Sequence, residues 1–141
     1  ESGRRGSGFV TKKIIKGLID IKKGKAKKIS LGNINARRDW GHAQDYVVAM
    51  WKMLQQKKPN DFVIGTGKLH SVKDFLEIAF KELNMDYRDY IVIDKKYWRK
   101  HDDFLLKANP LKAKKILKWK PKMKFKDIIL DMINYEYSLS E

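Results

Sequence analysis

Residues 61–80, "DFVIGTGKLHSVKDFLEIAF", decide how the rest of the chain is read. Phe62–Ile64 is a short, wholly apolar run without alternation, which suits a strand covered on both faces, as in a parallel sheet. Gly65 and Gly67 stand behind it as turn residues. Ser71 followed by Asp74 predicts a capping box, with Asp where Glu or Gln is usual. From there Val72, Phe75, Leu76, Ala79 and Leu83 recur on one face of a helix. Strand followed by helix is the unit of an α/β fold.

The flanks repeat that alternation. Upstream, Val47, Met50, Trp51 and Leu54 predict an amphipathic helix that ends before Pro59. Ile29–Leu31 reads as a strand closed by Gly32 and Asn33. Val10, Ile14, Leu18 and Ile21 predict a helix from about Phe9 to Lys23, ended by Gly24. Downstream, "YIVID" at 90–94 is a third strand, and "YWRKHDDFLLKANP" at 97–110 a long loop. Two helical segments follow, Leu111 to Lys118 and Phe125 to about Tyr137, separated by Pro121. Three strands are few for a closed α/β core. Either the domain is a small α+β unit, or part of a larger sheet lies outside these residues.

Composition narrows the class. The 141 residues, 43% of them hydrophobic, suffice for a real core and predict one domain or part of a larger one. A net charge of +15 calls for an anionic partner or a highly soluble surface. The chain has no cysteine, which excludes disulfides and thiolate chemistry and fits a reducing cytosol. No apolar run approaches the ~18–20 residues of a membrane span, and "ESGRRGSGFV" does not read as a signal peptide. A start at Glu1 rather than Met suggests a piece of something longer.

Several charged stretches have two readings. Arg4 and Arg5 precede a helix in a Gly/Ser-rich segment, either as an anion site or as a disordered basic end. Lys12 and Lys13 occupy its first turns, where lysine opposes the helix dipole and hints at an anionic ligand. Within "RRDWGHAQDYV", 37–47, Arg38 suits a phosphate; alternatively it pairs with Asp39 or Asp45 while Trp40 joins the core. Arg99 and Asp102 form a cation and a ribose-hydroxyl acceptor, or a solvated charged loop. His42, His70 and His101 lack metal-ligand spacing, so zinc is not expected. "KWKPKMKFK" interleaves lysines with Trp119 and Phe125 like a nucleic-acid patch, but lysine is abundant along every helix. No GxGxxG or P-loop pattern, Tyr-x-x-x-Lys pair, assembled Ser/His/Asp set or fixed-period repeat occurs.

Taken together, "ESGRRGSGFVTKKI", "LGNINARRDWGHAQDYVVAMWKMLQ", "DFVIGTGKLHSVKDFLEIAF" and "NPLKAKKILKWKPKMKFKDIILDMI" resemble the C-terminal part of the GDP-mannose 4,6-dehydratase family. That family is a branch of the extended short-chain dehydrogenases/reductases. The resemblance implies an α/β, Rossmann-type fold of which residues 1–141 are the C-terminal substrate-binding portion, lacking most of the parallel sheet. Residues 43–65 would complete the Rossmann layer of an N-terminal half, leaving apolar surface exposed in this chain alone.

The resemblance further implies NADP on that N-terminal half and GDP-mannose held by the C-terminal part. In such enzymes the sugar C4 is oxidised, water is eliminated across C5 and C6, and the hydride returns to C6, giving GDP-4-keto-6-deoxymannose. Carried over, Val10 and Lys13 would line the GDP site, and Arg38 and Arg99 would hold phosphates or ribose. Asp102 replaces a family Glu and Lys100 a family Pro, so contact of Asp102 with ribose hydroxyls is weakened. Arg4 and Arg5 would touch cofactor or an interface, in a loop that Ser2-Gly3, for the family's Ser-Pro, loosens. No catalytic residue is expected in this chain, and the whole enzyme is expected to be a cytoplasmic homo-oligomer. The competing readings are a basic nucleic-acid-binding module, whose affinity would fall steeply with salt, and another sugar-nucleotide epimerase or dehydratase.

Overall fold

The computed structural model describes residues 1–99 and 105–139. Helix α1 (Val10–Lys22) buries Ile14, Ile15, Leu18 and Ile19, the apolar positions that the 3.6-residue period brings to one face. The chain then enters β1 (Ile29–Leu31), a short β2 (Arg37–Arg38) and α2 (Ala43–Leu54). After a stretch without helix or strand come β3 (His70–Ser71) and α3 (Val72–Glu82). Strand β4 (Ile91–Ile93) and the 3-10 turn Lys95–Tyr97 precede α4 (Leu111–Ile116) and α5 (Phe125–Ser138).

β1 and β4 pair in parallel, Ile29 against Ile91 and Leu31 against Ile93. β2 and β3 pair antiparallel, with Arg38 opposite His70. Helices α1, α3 and α5 pack on one another, and α1 also covers β1. Phe75, Leu76 and Phe80 of α3 and Ile128, Ile129 and Met132 of α5 complete this core. Ser71 and Asp74 form the predicted capping box: Ser71 Oγ accepts from Asp74 N–H at 3.0 Å, and Asp74 accepts from Ser71 N–H at 2.8 Å.

A second, smaller cluster gathers Ala49, Ala113, Leu117 and Trp119, with Phe62 and Ile64 against it. It corrects the strand expected at Phe62–Ile64. Phe62 and Ile64 turn inward and Val63 outward, 54% exposed, and the segment pairs with no strand among the described residues. An apolar run becomes a strand only where a neighbouring ladder takes its backbone groups. The Leu111 helix also stops short of Lys118, whose left-handed backbone (φ 49°) ends it. Lys52 Nζ donates to the carbonyls of Leu117 and Lys118 at 3.0 and 3.1 Å, satisfying acceptors freed at that helix end.

The stripe of α2 faces outward: Val47, Met50 and Trp51 are about three-fifths exposed and Leu54 is 82% exposed. The opposite face carries Asp45 and Ala49 into the structure. Asp45 accepts from the amides of Lys122 and Met123, and its carbonyl accepts from Trp119 Nε1, so the segment before α5 is fastened to the first turn of α2.

Gly3 is buried, and a Cβ there would meet the Tyr135 ring at 2.2 Å. The loosening expected at Ser2-Gly3 is therefore corrected. Arg5 N–H closes onto the Ser2 carbonyl, and Lys12 Nζ donates to the Gly3 carbonyl at 2.9 Å. Lys12 also pairs with Glu136 of α5, so this lysine is structural.

Candidate functional site

The start of α1, the exit of β1, the Ala36–Trp40 loop and the 96–99 segment enclose a cleft of about 850 Å³. Val10, Lys13, Arg38 and Arg99, four of the positions expected to touch substrate, line it together. Arg5 joins them. Arg4 is exposed and lines no part of it. Asp102 and Lys100 lie outside the described residues.

Each cation is set by a different element. Lys13 sits in the second half of the first turn of α1, a helix whose N-cap, Phe9, offers no side-chain acceptor and whose first turn has no acid. Helix-start amides and a lysine thus add positive potential at one place. Arg38 is held by the β2–β3 pair and a further parallel bridge to Leu106, and its guanidinium donates to the Arg37 carbonyl at 2.7 Å. The Arg5 guanidinium lies 3.4 Å from the Phe9 ring centroid. Its Nε is buried without a hydrogen bond and faces the Glu1 carboxylate at 3.4 Å, an ion pair only.

Acids in this cleft are engaged. Asp39 accepts from the amides of Thr66 (2.9 Å), Gly67 (2.8 Å) and Ala108 (3.3 Å), and from the Thr66 hydroxyl. Glu1 accepts from the Thr11 hydroxyl at 2.6 Å. Donor-saturated carboxylates compete less than free ones with an anionic ligand for the nearby cations.

Trp40 follows the alternative reading of its loop: it is 8% exposed, edge-on to Phe75 and stacked with Phe125 at 5.8 Å. Asp39 and Asp45 accept from the loop amides described above. His42 is buried; its Nδ1 accepts from Gln44 N–H at 3.3 Å, which caps α2. The ring proton therefore belongs on Nε2, 3.2 Å from Asp131 on α5. Burial pushes the Tyr46 hydroxyl up to about 12, with Asp39, Asp45 and Glu1 adding to it, so it stays neutral at physiological pH.

His70 stacks on Phe125 with centroids 3.8 Å apart. Burial, reinforced by Lys68 and opposed by Asp74 and Asp39, holds its pKa below the usual value. The unfolded chain then binds the proton first as pH falls, so stability decreases once the pH drops below about 6.5. In the full-length protein His70→Phe, which keeps the stack, is expected to flatten this acid limb; melting curves across that range check it, and an unchanged slope would exclude His70 as the cause.

Spacing missed other lining residues. Lys96 has no distinguishing signal in a lysine-rich background, and Tyr97 opens a stretch whose pattern predicts only a loop. Glu1 and Thr11 flank the Arg4–Arg5 segment but carry no pattern of their own.

The architecture recurs in solved structures of longer, Rossmann-type proteins. RMD from Pseudomonas aeruginosa complexed with NADPH superposes with a TM-score of 0.85 at 18% identity, over 96% of this chain and 44% of that one. UDP-glucuronic acid 4-epimerase from Bacillus cereus, in complex with UDP-glucuronic acid and NAD, gives 0.81 at 17% identity, over 99% and 43%. At such identity these neighbours establish the fold: α/β, with a short part of the parallel sheet.

Sequence carries the assignment further. The GDP-mannose 4,6 dehydratase family model matches residues 1–132, and the chain belongs to that family. GDP-mannose 4,6 dehydratase 1 of Arabidopsis thaliana is 46% identical over the whole chain and 39% of its own length. The Homo sapiens GDP-mannose 4,6 dehydratase is 38% identical over 99% of the chain and 42% of its own length. The chain thus spans about two-fifths of the curated relatives it matches.

Proposed function

We propose that this chain is the sugar-nucleotide-binding portion of an NADP-dependent GDP-mannose 4,6-dehydratase, a lyase forming GDP-4-keto-6-deoxymannose. The observation that carries this reading is the meeting of Val10, Lys13, Arg38 and Arg99 in one cleft, within a chain of that family. Arg38 is assigned to the diphosphate, Arg99 to phosphate or ribose, and Val10 to an apolar wall. The cleft volume lies within the range of small-ligand sites, ~300–1,000 Å³.

The residues present do not fit the dinucleotide. No glycine-rich strand–helix turn occurs in the sequence to cradle a pyrophosphate. NADP is therefore assigned to polypeptide outside these residues, and the groups of this chain bind and orient. Residues 43–65, with the outward stripe of α2, are assigned to the contact with that polypeptide. No helix among the described residues is long and apolar enough to cross a membrane. By the family resemblance, the whole enzyme is proposed to be a cytoplasmic homo-oligomer.

The full-length protein is expected to bind GDP-mannose at least about tenfold more tightly than UDP- or dTDP-glucose, about 1.4 kcal/mol. Calorimetric titration with the three ligands checks this. Equal affinities would favour a different sugar-nucleotide enzyme of the same superfamily. Binding of an oligonucleotide with a steep salt dependence, and of no sugar nucleotide, would replace the reading with a nucleic-acid module.

A further inference from the structure

We propose that Tyr97 is a positioning residue for this cleft: its ring gathers the Lys13 ammonium and presents it to an anionic nucleoside diphosphate. The assignment rests on the sugar-nucleotide reading above and adds a group that the sequence did not single out.

Lys13 Nζ lies 3.9 Å from the Tyr97 ring centroid, well inside the ~6 Å reach of a cation–π contact. Both residues line the cleft. The Tyr97 backbone is fixed independently of Lys13. Asp94 caps the 3-10 turn by accepting from Lys96 N–H at 3.0 Å, and Tyr97 N–H donates to the Asp94 carbonyl at 3.1 Å. On the other side Gly32 lets the segment approach β1, since a Cβ there would lie 2.5 Å from the Tyr97 carbonyl oxygen. The ring is thus a built surface.

An aromatic partner suits this role better than an acid. A lysine side chain loses rotamer freedom when it is fixed on a phosphate, and a contact that already gathers it lowers that cost. A carboxylate would gather it too, but would cancel the charge and compete with the phosphate. The ring attracts the cation without adding net negative charge. Lys96, 4.9 Å from the same centroid, is paired with Asp94 at 3.2 Å. The second ammonium near the ring is therefore matched by its own acid.

The test is a double-mutant cycle on the full-length enzyme, with GDP as the probe in calorimetric titrations. Lys13→Ala is expected to weaken GDP binding by about tenfold or more, the loss of a charge-assisted bond. Tyr97→Leu should weaken it by about two- to fivefold, and Tyr97→Gln, a second ring-less variant, by the same factor. Tyr97→Phe, which keeps the ring and loses the hydroxyl, should remain near wild type. In the Lys13→Ala background, Tyr97→Leu should cost nothing further. Additive losses, or ring-less variants with wild-type affinity, would overturn the assignment while leaving the sugar-nucleotide reading intact. A wild-type enzyme that fails to bind GDP would overturn both.

Discussion

Replacing Arg38 with alanine in the full-length enzyme is expected to raise KM for GDP-mannose more than tenfold. A guanidinium meeting phosphate makes charge-assisted hydrogen bonds worth about 1.5–3 kcal/mol each, so losing one alone reaches about tenfold. Its place makes the loss specific: Arg38 is held by the β2–β3 pair and the Leu106 bridge through backbone groups, which alanine retains. Arg38→Lys should recover only part of the affinity, because an ammonium lacks the planar fork that grips a diphosphate. Steady-state kinetics with GDP-mannose check both variants. Unchanged KM and kcat in Arg38→Ala would reduce the arginine to a structural role.

Two residues further on, Trp40→Ala should act on stability. The ring is 8% exposed and wedged between Phe75 and Phe125, and truncating such a core aromatic costs about 3–5 kcal/mol. Amides of α3 and α5, which carry those two partners, should lose exchange protection in the full-length protein. Hydrogen exchange followed by mass spectrometry separates this from damage elsewhere. A loss under about 1 kcal/mol, far short of what core truncation costs, would mean that the ring is not part of the core. Arg38 and Trp40 thus share one loop but different surroundings: the first lines the cleft, the second belongs to the core.

The helical core was legible because Ile, Leu and Phe recur with the helical period in α1, α3 and α5, and because Ser71 and Asp74 announce their cap. β2 and β3 were not legible: Arg37–Arg38 and His70–Ser71 are two residues each, too short for any alternation to show. The composition of Phe62–Ile64 suits a strand, but composition cannot say whether a partner ladder lies beside it. At the cleft, the residues themselves leave Lys13, Arg38 and Arg99 with two readings each, and only the family resemblance joins them to Val10 in one site. Lys96 and Tyr97 depend on the turn after β4 folding back over Gly32. Nothing in the local pattern of "DKKYW" foretells that approach.

Trp51 has a practical bearing on how damage to the enzyme would be diagnosed. It projects from α2 at 61% exposure, outside both hydrophobic clusters. A serine there would leave both hydrophobic clusters of the described residues as they are. On the proposed contact of α2 with the rest of the enzyme, inactivity of such a variant is expected to be a fault of assembly, invisible to whoever inspected this lobe by itself.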